Sequence, residues 1–265
     1  MSLTAFNKPK PDMVQCKSCG VRQLALFTDM TAEDFKLVHQ PVDEVKLGKG
    51  EVLYHTGDTA NYIYTLRSGL IKMTHYMIDG SQRVVRLVRA GGTMGLEALV
   101  AGSFAHNAEA LQHSVLCRIP VSVVEKLDRE SPRLHKQILT RWHQTVMDSD
   151  YWLTRMCTGS ARERMARLCL FLVDDDNGNE PACLLPGRED IGAMLGITTE
   201  TASRVIADFR RQGLLTTYSR HEFSMNVGNM RLLAGIEDCA AWRPETKADT
   251  NKPAHYLRMA AGNVV

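Results

Sequence analysis

The chain has 265 residues, enough for two domains, and its 44% hydrophobic and 23% charged content is that of a folded globular protein. Its 32 basic and 30 acidic residues leave a formal net charge of +2, so no global basic field points to nucleic acid, and any such contact must rest on local charge. No apolar run is long enough to span a bilayer, the N-terminus lacks the charged-then-apolar order of a signal peptide, and seven cysteines are an odd number for a secreted disulfide framework. The expectation is a cytoplasmic protein in which clustered thiols act as ligands or sensors.

Residues 1–15 are polar and carry Pro9 and Pro11. Cys16-Lys-Ser-Cys19 follows, then a short helical stretch at Leu24–Phe27 and a helix from Thr31 to Val38, with Thr31 as cap and Glu33 and Asp34 in its first turn. From Val45 to about Ser122, short β-rich runs alternate with Gly and Asp turns. The runs Val52–His55, Tyr62–Leu66, Leu70–Met77, Gln82–Leu87 and Val115–Ile119 predict an all-β sandwich or barrel.

Pro132 opens a long helix, Arg133 to about Cys157. His135, Leu139, Trp142, Val146, Ser149, Leu153 and Met156 alternate in fours and threes, an imperfect a/d seam of the kind that joins two helices in a dimer. A second helix, Ser160 to Asp174, leads into the polar loop Asp174–Pro181. Two short helices then flank a tight turn at Gly196: Arg188–Leu195, and a second from Thr198 or Thr199 to about Arg211. Ala202, Val205, Ile206 and Phe209 repeat at helical spacing and face inward, whereas Glu200, Ser203 and Arg204 share the outward face. This is helix-turn-helix geometry, in which the N-terminal residues of the second helix meet base edges. Arg204 can donate twice to guanine, Glu200 can accept from cytosine, and Ser203 can do either. Thr216–Tyr218 and Glu222–Val227 read as a β-hairpin wing. The span from Ala161 to Gly235 holds nine arginines and no lysine against ten acidic residues, so its positive charge is local. Arg204, Arg210, Arg211 and Arg220, with Arg162, Arg164 and Arg167 before the motif, are candidate phosphate contacts.

The stretch DIGAMLGITTETASRVIADFRRQGLL closely resembles the DNA-binding segment of the Crp–Fnr superfamily, in the branch of the fumarate and nitrate reduction regulators. GEVLYHTGD, YIYTLRSGLIK and SVLCRIP resemble strands of the same superfamily's β-roll. The resemblance implies an α+β chain with a cyclic-nucleotide-binding-like β jelly roll, a long dimerisation helix and a C-terminal winged helix-turn-helix. Its divisions would be an N-terminal cysteine segment at 1–30, a sensor domain at 31–131, the dimerisation helix at 132–158, the DNA-binding domain at 159–240 and a flexible tail at 241–265. It further implies a homodimer and RNA polymerase as partner. The DNA target would be a TTGAT-N4-ATCAA-like palindrome, read by Glu200, Ser203 and Arg204, with Thr199, Arg188 and Arg210 completing the contact set. Trp142, Val146, Ser149, Leu153 and Met156 are the candidate dimer residues.

Two departures concern the signal. Cyclic-nucleotide binders of the superfamily clamp phosphate with an Arg-Ser or Arg-Thr pair after a Gly-Glu pair. Here Gly95-Leu96-Glu97-Ala98 is followed by His106-Asn107, and a neutral histidine does not replace a guanidinium fork, so cyclic AMP is not expected to bind. The oxygen-sensing branch holds an iron–sulfur cluster on four cysteines. Cys16, Cys19 and Cys117 match three, whereas the position of the remaining one is Ala25. Three thiols leave open a cluster completed by a carboxylate or histidine such as Asp29 or His113, a zinc site, or a reversible disulfide. The plainer reading of Cys117 is a small core residue. A haem ligand among His55, His75, His106 and His113 is a further reading. No Ser/His/Asp, P-loop or metallohydrolase pattern is present, and a non-enzymatic regulator is expected.

Overall fold

The computed structural model describes residues 26–27, 31, 42–174, 182–218 and 222–236. The predicted helix at Thr31–Val38 lies outside the described residues except for Thr31, and Leu26–Phe27 form a turn rather than a helix. Eight strands build the first domain: β1 (Asp43–Leu47), β2 (Val52–Tyr54), β3 (Tyr62–Ser68), β4 (Ile71–Tyr76), β5 (Gln82–Val88), β6 (Thr93–Met94), β7 (Asn107–Ala110) and β8 (Ser114–Pro120). They form two antiparallel four-stranded sheets, ordered β1-β8-β3-β6 and β2-β7-β4-β5, a jelly roll. Ile63, Leu66, Ile71, Met73, Leu116 and Ile119 fill its interior at 2% exposure or less. The sequence predicted β2–β5 and β8. It missed β1, β6 and β7, and the helix α1 (Val121–Glu130) that closes the roll with Val123, Val124 and Leu127 wholly buried. Leu26 and Phe27 pack into the same core.

Helix α2 runs Pro132–Tyr151 with Pro132 in its first turn, where a missing N–H costs nothing. It continues as a π-helical turn, Trp152–Met156. A π turn takes in an extra residue and sets the following side chains back by roughly 100°. Trp152, at the start of this turn, meets Phe171 edge-on at 6.2 Å, and Met156, at its end, is buried in the second domain's core.

That second domain begins with α3 (Ala161–Leu172), started by a capping box in which Ser160 and Glu163 satisfy each other's backbone N–H. The next elements are β9 (Val173–Asp174), β10 (Ala182–Leu184), α4 (Arg188–Leu195), α5 (Thr199–Arg211), β11 (Leu215–Thr217), β12 (Glu222–Met225) and α6 (Val227–Ala234). The wing is not a lone hairpin. Its strands belong to a four-stranded sheet ordered β11-β12-β10-β9, and the two added strands were too short to read from sequence. The α4–α5 turn depends on two glycines. Gly196 adopts φ +62, and a Cβ on Gly192 would stand 2.7 Å from the Ile197 carbonyl oxygen. The backbone must shift to accept a side chain there. Gly192→Ala is expected to cost about 1–3 kcal/mol, read as a lowered Tm.

Candidate nucleic-acid interface and sensor residues

The recognition surface starts from the cap of α5. The Thr198 hydroxyl accepts from the Thr201 N–H at 3.1 Å, which fixes the helix start and the phase of every later side chain on the helix. Ala202 and Phe209 are wholly buried, with Ile206 and Val205 nearly so, and on the other side Thr199, Glu200, Ser203 and Arg204 are all exposed. The predicted base-reading residues therefore share one solvent-facing surface at the N-terminal half of the helix. Between α5 and the wing lies a groove of about 820 Å³ lined by Arg204, Arg210, Arg211, Thr216 and Thr217. Arg188, at the start of α4, is half-buried, and its guanidinium is held below its ordinary range, first by burial and then by the Arg210 charge. Two cations within each other's field are stabilised by an anion, which suits a phosphate contact.

The other arginines have different roles. Arg162 pairs with Asp208, donates to Gln212 Oε1 at 2.9 Å and lies over Phe209. Arg164 donates to the Leu195 carbonyl. Arg167 donates to the carbonyls of Ala234, Arg155 and Thr158 at 2.9, 2.7 and 2.8 Å. These three engage partners within the chain and tie α3 to its neighbours. Arg220 lies outside the described residues.

Along α2 the expected seam is mostly outward. Leu139, Val146 and Leu153 are 56%, 53% and 63% exposed. Trp142 packs partly against the β-roll core, and the Ser149 hydroxyl donates back to the Thr145 carbonyl at 2.9 Å. Met156 departs from the seam, because the π turn rotates it into its own protomer's core.

Cys16, Cys19, Ala25 and Asp29 lie outside the described residues. Cys117 is buried on β8, opposite Glu44 of β1 and Thr65 of β3, in the cluster that also holds Leu26 and Phe27. Its thiol is the right soft donor for iron–sulfur or zinc, but among the described residues no three His, Cys, Asp or Glu side chains converge on one point. His113 is exposed just before β8, four residues from Cys117 and so about 13 Å away along an extended strand, too far to share one metal ion with it.

The β-roll carries a half-buried cation that the sequence reading missed. Arg86 on β5 donates to the Met73 sulfur through Nε and Nη2 at 3.2 and 2.7 Å, and thioether sulfur is a weak acceptor. Burial presses the guanidinium below its usual range, against the charges of Tyr54, Glu97 and Asp148. Asp148 comes from the long helix, and burial raises its carboxyl while Gln144 and Arg86 oppose the rise. At the position of the superfamily's phosphate clamp, Asn107 Oδ1 accepts from the Thr56 N–H at 3.0 Å. His106 beside it is held below its ordinary range by burial, then by Arg86. A neutral imidazole and an occupied amide do not make an anion clamp.

A jelly roll, a long helix and a winged helix-turn-helix in this order define a DNA-binding transcription regulator. A family model for the cyclic nucleotide-binding domain matches residues 44–131, and one for the Crp-like helix-turn-helix domain matches residues 163–234. The chain belongs to the Crp–Fnr superfamily. It is 26% identical over 228 residues to the fumarate and nitrate reduction regulatory protein of Vibrio cholerae serotype O1, covering 84% of this chain and 91% of that one. Electron transport regulator A of Shewanella oneidensis is similar at 26% identity over 227 residues, with the same coverage. Among solved structures, FixK2 from Bradyrhizobium japonicum matches with a TM-score of 0.65 at 22% identity, over 76% of this chain and 100% of that one. No described helix is long and apolar enough to cross a membrane.

His106 carries a pH consequence. Its folded pKa lies below the ordinary 6.5, so the unfolded chain binds the proton more readily. Its contribution to stability is intact above about pH 6.5 and is lost as pH falls. Thermal melts between about pH 7 and about pH 5 should show a smaller loss of Tm in His106→Gln than in the wild type.

Proposed function

We propose that this protein is a homodimeric transcription regulator of the cytoplasm that reads a TTGAT-N4-ATCAA-like palindrome and engages RNA polymerase. Its signal in this reading is oxygen, redox state or nitric oxide. The observation that carries the DNA reading is the placement of Glu200, Ser203 and Arg204 on one exposed face of α5, flanked by the cations Arg188 and Arg210 and by Thr199. The exposed apolar side chains Leu139, Val146 and Leu153 support a helix-to-helix dimer, with Trp142 and Ser149 at its edge. The proposed division is a cysteine segment at 1–30, a sensor domain at 31–131, a dimerisation helix at 132–158, a DNA-binding domain at 159–240 and a tail at 241–265.

The sensor would be an iron–sulfur cluster held by Cys16, Cys19 and Cys117, a group whose chemistry with oxygen and nitric oxide turns redox state into loss of ligation. Leu26 and Phe27 support this reading, because they anchor the end of the N-terminal segment in the core that contains Cys117. Ala25 favours one rival: the same regulator without a cluster, using zinc, a thiol switch, haem, a small effector or no effector.

Arg204→Ala should cost about 1–3 kcal/mol on the palindrome and leave binding to random DNA nearly unchanged, measured by fluorescence anisotropy at fixed salt. Equal loss on both probes removes base reading from Arg204. Protein purified without oxygen should show visible absorption that bleaches in air, with iron and acid-labile sulfide in matching amounts, and Cys16→Ala should lack it while keeping its fold. A colourless, iron-free wild type that still binds the palindrome selects the cluster-free reading.

A further inference from the structure

Three basic side chains of the β4–β5 hairpin reach from the β-roll into the DNA-binding half. Lys72 on β4 is the most enclosed, its side chain 5% exposed. Its ammonium lies 2.7 Å from Asp190 Oδ1, in the first turn of α4, and 3.2 Å from Glu109 Oε2 on β7. Burial opposes the charge on Lys72, but the hydrogen bonds and charges of Asp190 and Glu109 outweigh it and hold the ammonium above its ordinary range. Arg83 on β5 lies against the turn of the helix-turn-helix: a Cβ on Gly196 would stand 2.3 Å from its Nη1. Its Nη2 also donates to Cys157 Sγ at 3.6 Å, at the junction between the long helix and α3. Arg89 donates to the Val173 carbonyl at 3.1 Å and lies 4.7 Å over the Phe171 ring. Beneath these contacts, Leu70, Val84, Leu87 and Leu111 of the β-roll share one core cluster with Ile191 and Met194 of α4.

The recognition helix packs directly on α4, and α4 is fixed to the β-roll. Its angle to the long helix is therefore set by the β4–β5 hairpin as well as by the junction at 157–160. The contact leaves Glu200, Ser203 and Arg204 exposed. We propose that Lys72 is a positioning residue for DNA recognition, its ion pairs with Asp190 and Glu109 holding each winged helix at the angle at which the two recognition helices of a dimer enter successive major grooves. This rests on the reading of the chain as a palindrome-binding dimer. Without the lysine, two partly buried carboxylates face each other. Without Asp190, an enclosed cation loses its nearer partner. Either change loosens the alignment of α4 on the sheet while leaving the base-reading residues untouched.

The test separates angle from contact. The wild type, Lys72→Met, Asp190→Asn and the double variant are titrated by anisotropy with the N4-spaced palindrome, with palindromes whose spacer is lengthened by one and two base pairs, and with a single half-site. Each single variant should lose about tenfold on the N4 palindrome and less than about twofold on the half-site, so that the preference for one spacing collapses. The double variant should lose no more than either single one, as two groups of one interaction do. Lys72→Arg should restore most of the preference. Asp190→Asn is nearly isosteric and guards against a folding failure in Lys72→Met. An equal loss on every probe would reduce Lys72 to a merely structural role and overturn the proposal, as would affinities unchanged on all of them. A wild type that does not distinguish the spacings removes the palindrome reading itself, and this proposal with it.

Discussion

The arrangement of this protein depends on one contact, the packing of the winged helix against the β4–β5 hairpin. Each domain has a way of closing its own core, the β-roll with α1 and the winged helix with α6. One cluster nevertheless crosses the boundary, from Leu70, Val84, Leu87 and Leu111 to the helices of the DNA-binding half. Apolar contact supplies attraction but little direction. Direction comes from the enclosed lysine, because an ion pair out of water tolerates little misalignment before the desolvated charge becomes costly. The domain boundary is therefore a packed joint, and motion in the β-roll has a physical route to the recognition helix that does not pass through the long helix alone.

The positive charge of the second domain is divided by burial. Arg162, Arg164 and Arg167 end on carbonyls, amides and a carboxylate within the domain, where the planar five-donor fork makes arginine an efficient tie between elements. Arg204, Arg210 and Arg211 line the open groove beside the wing. A domain with more acidic than basic residues can thus still gather cations at one groove, because their placement and not their number sets the local charge.

The β-roll retains a nucleotide-binding architecture with different interior chemistry. Asn107 is engaged by backbone, His106 is held below its ordinary range, and a half-buried cation, Arg86, comes from another strand, where it donates to the Met73 sulfur. The fold is kept while the chemistry at the clamp position differs, and function follows from the site and not from the architecture.

The order of domains, the limits of the long helix and of α4 and α5, and the outward set Glu200, Ser203 and Arg204 were all legible in the residues alone. These are local properties: a proline at a helix start, a glycine forced to positive φ, and a 3.6-residue alternation of apolar positions over a helix long enough to show it. β6, β9 and β10, of two or three residues each and without a turn signal that frames them, carry no such period and were not read. Which arginines face inward emerged only on folding, because a basic side chain looks the same in sequence whether its acceptor is a phosphate or the carbonyl of Ala234, 67 positions away. The same holds for the π turn that withdraws Met156 from the dimer seam, and for Lys72 and Asp190, separated by 118 positions and joined only when the two domains pack.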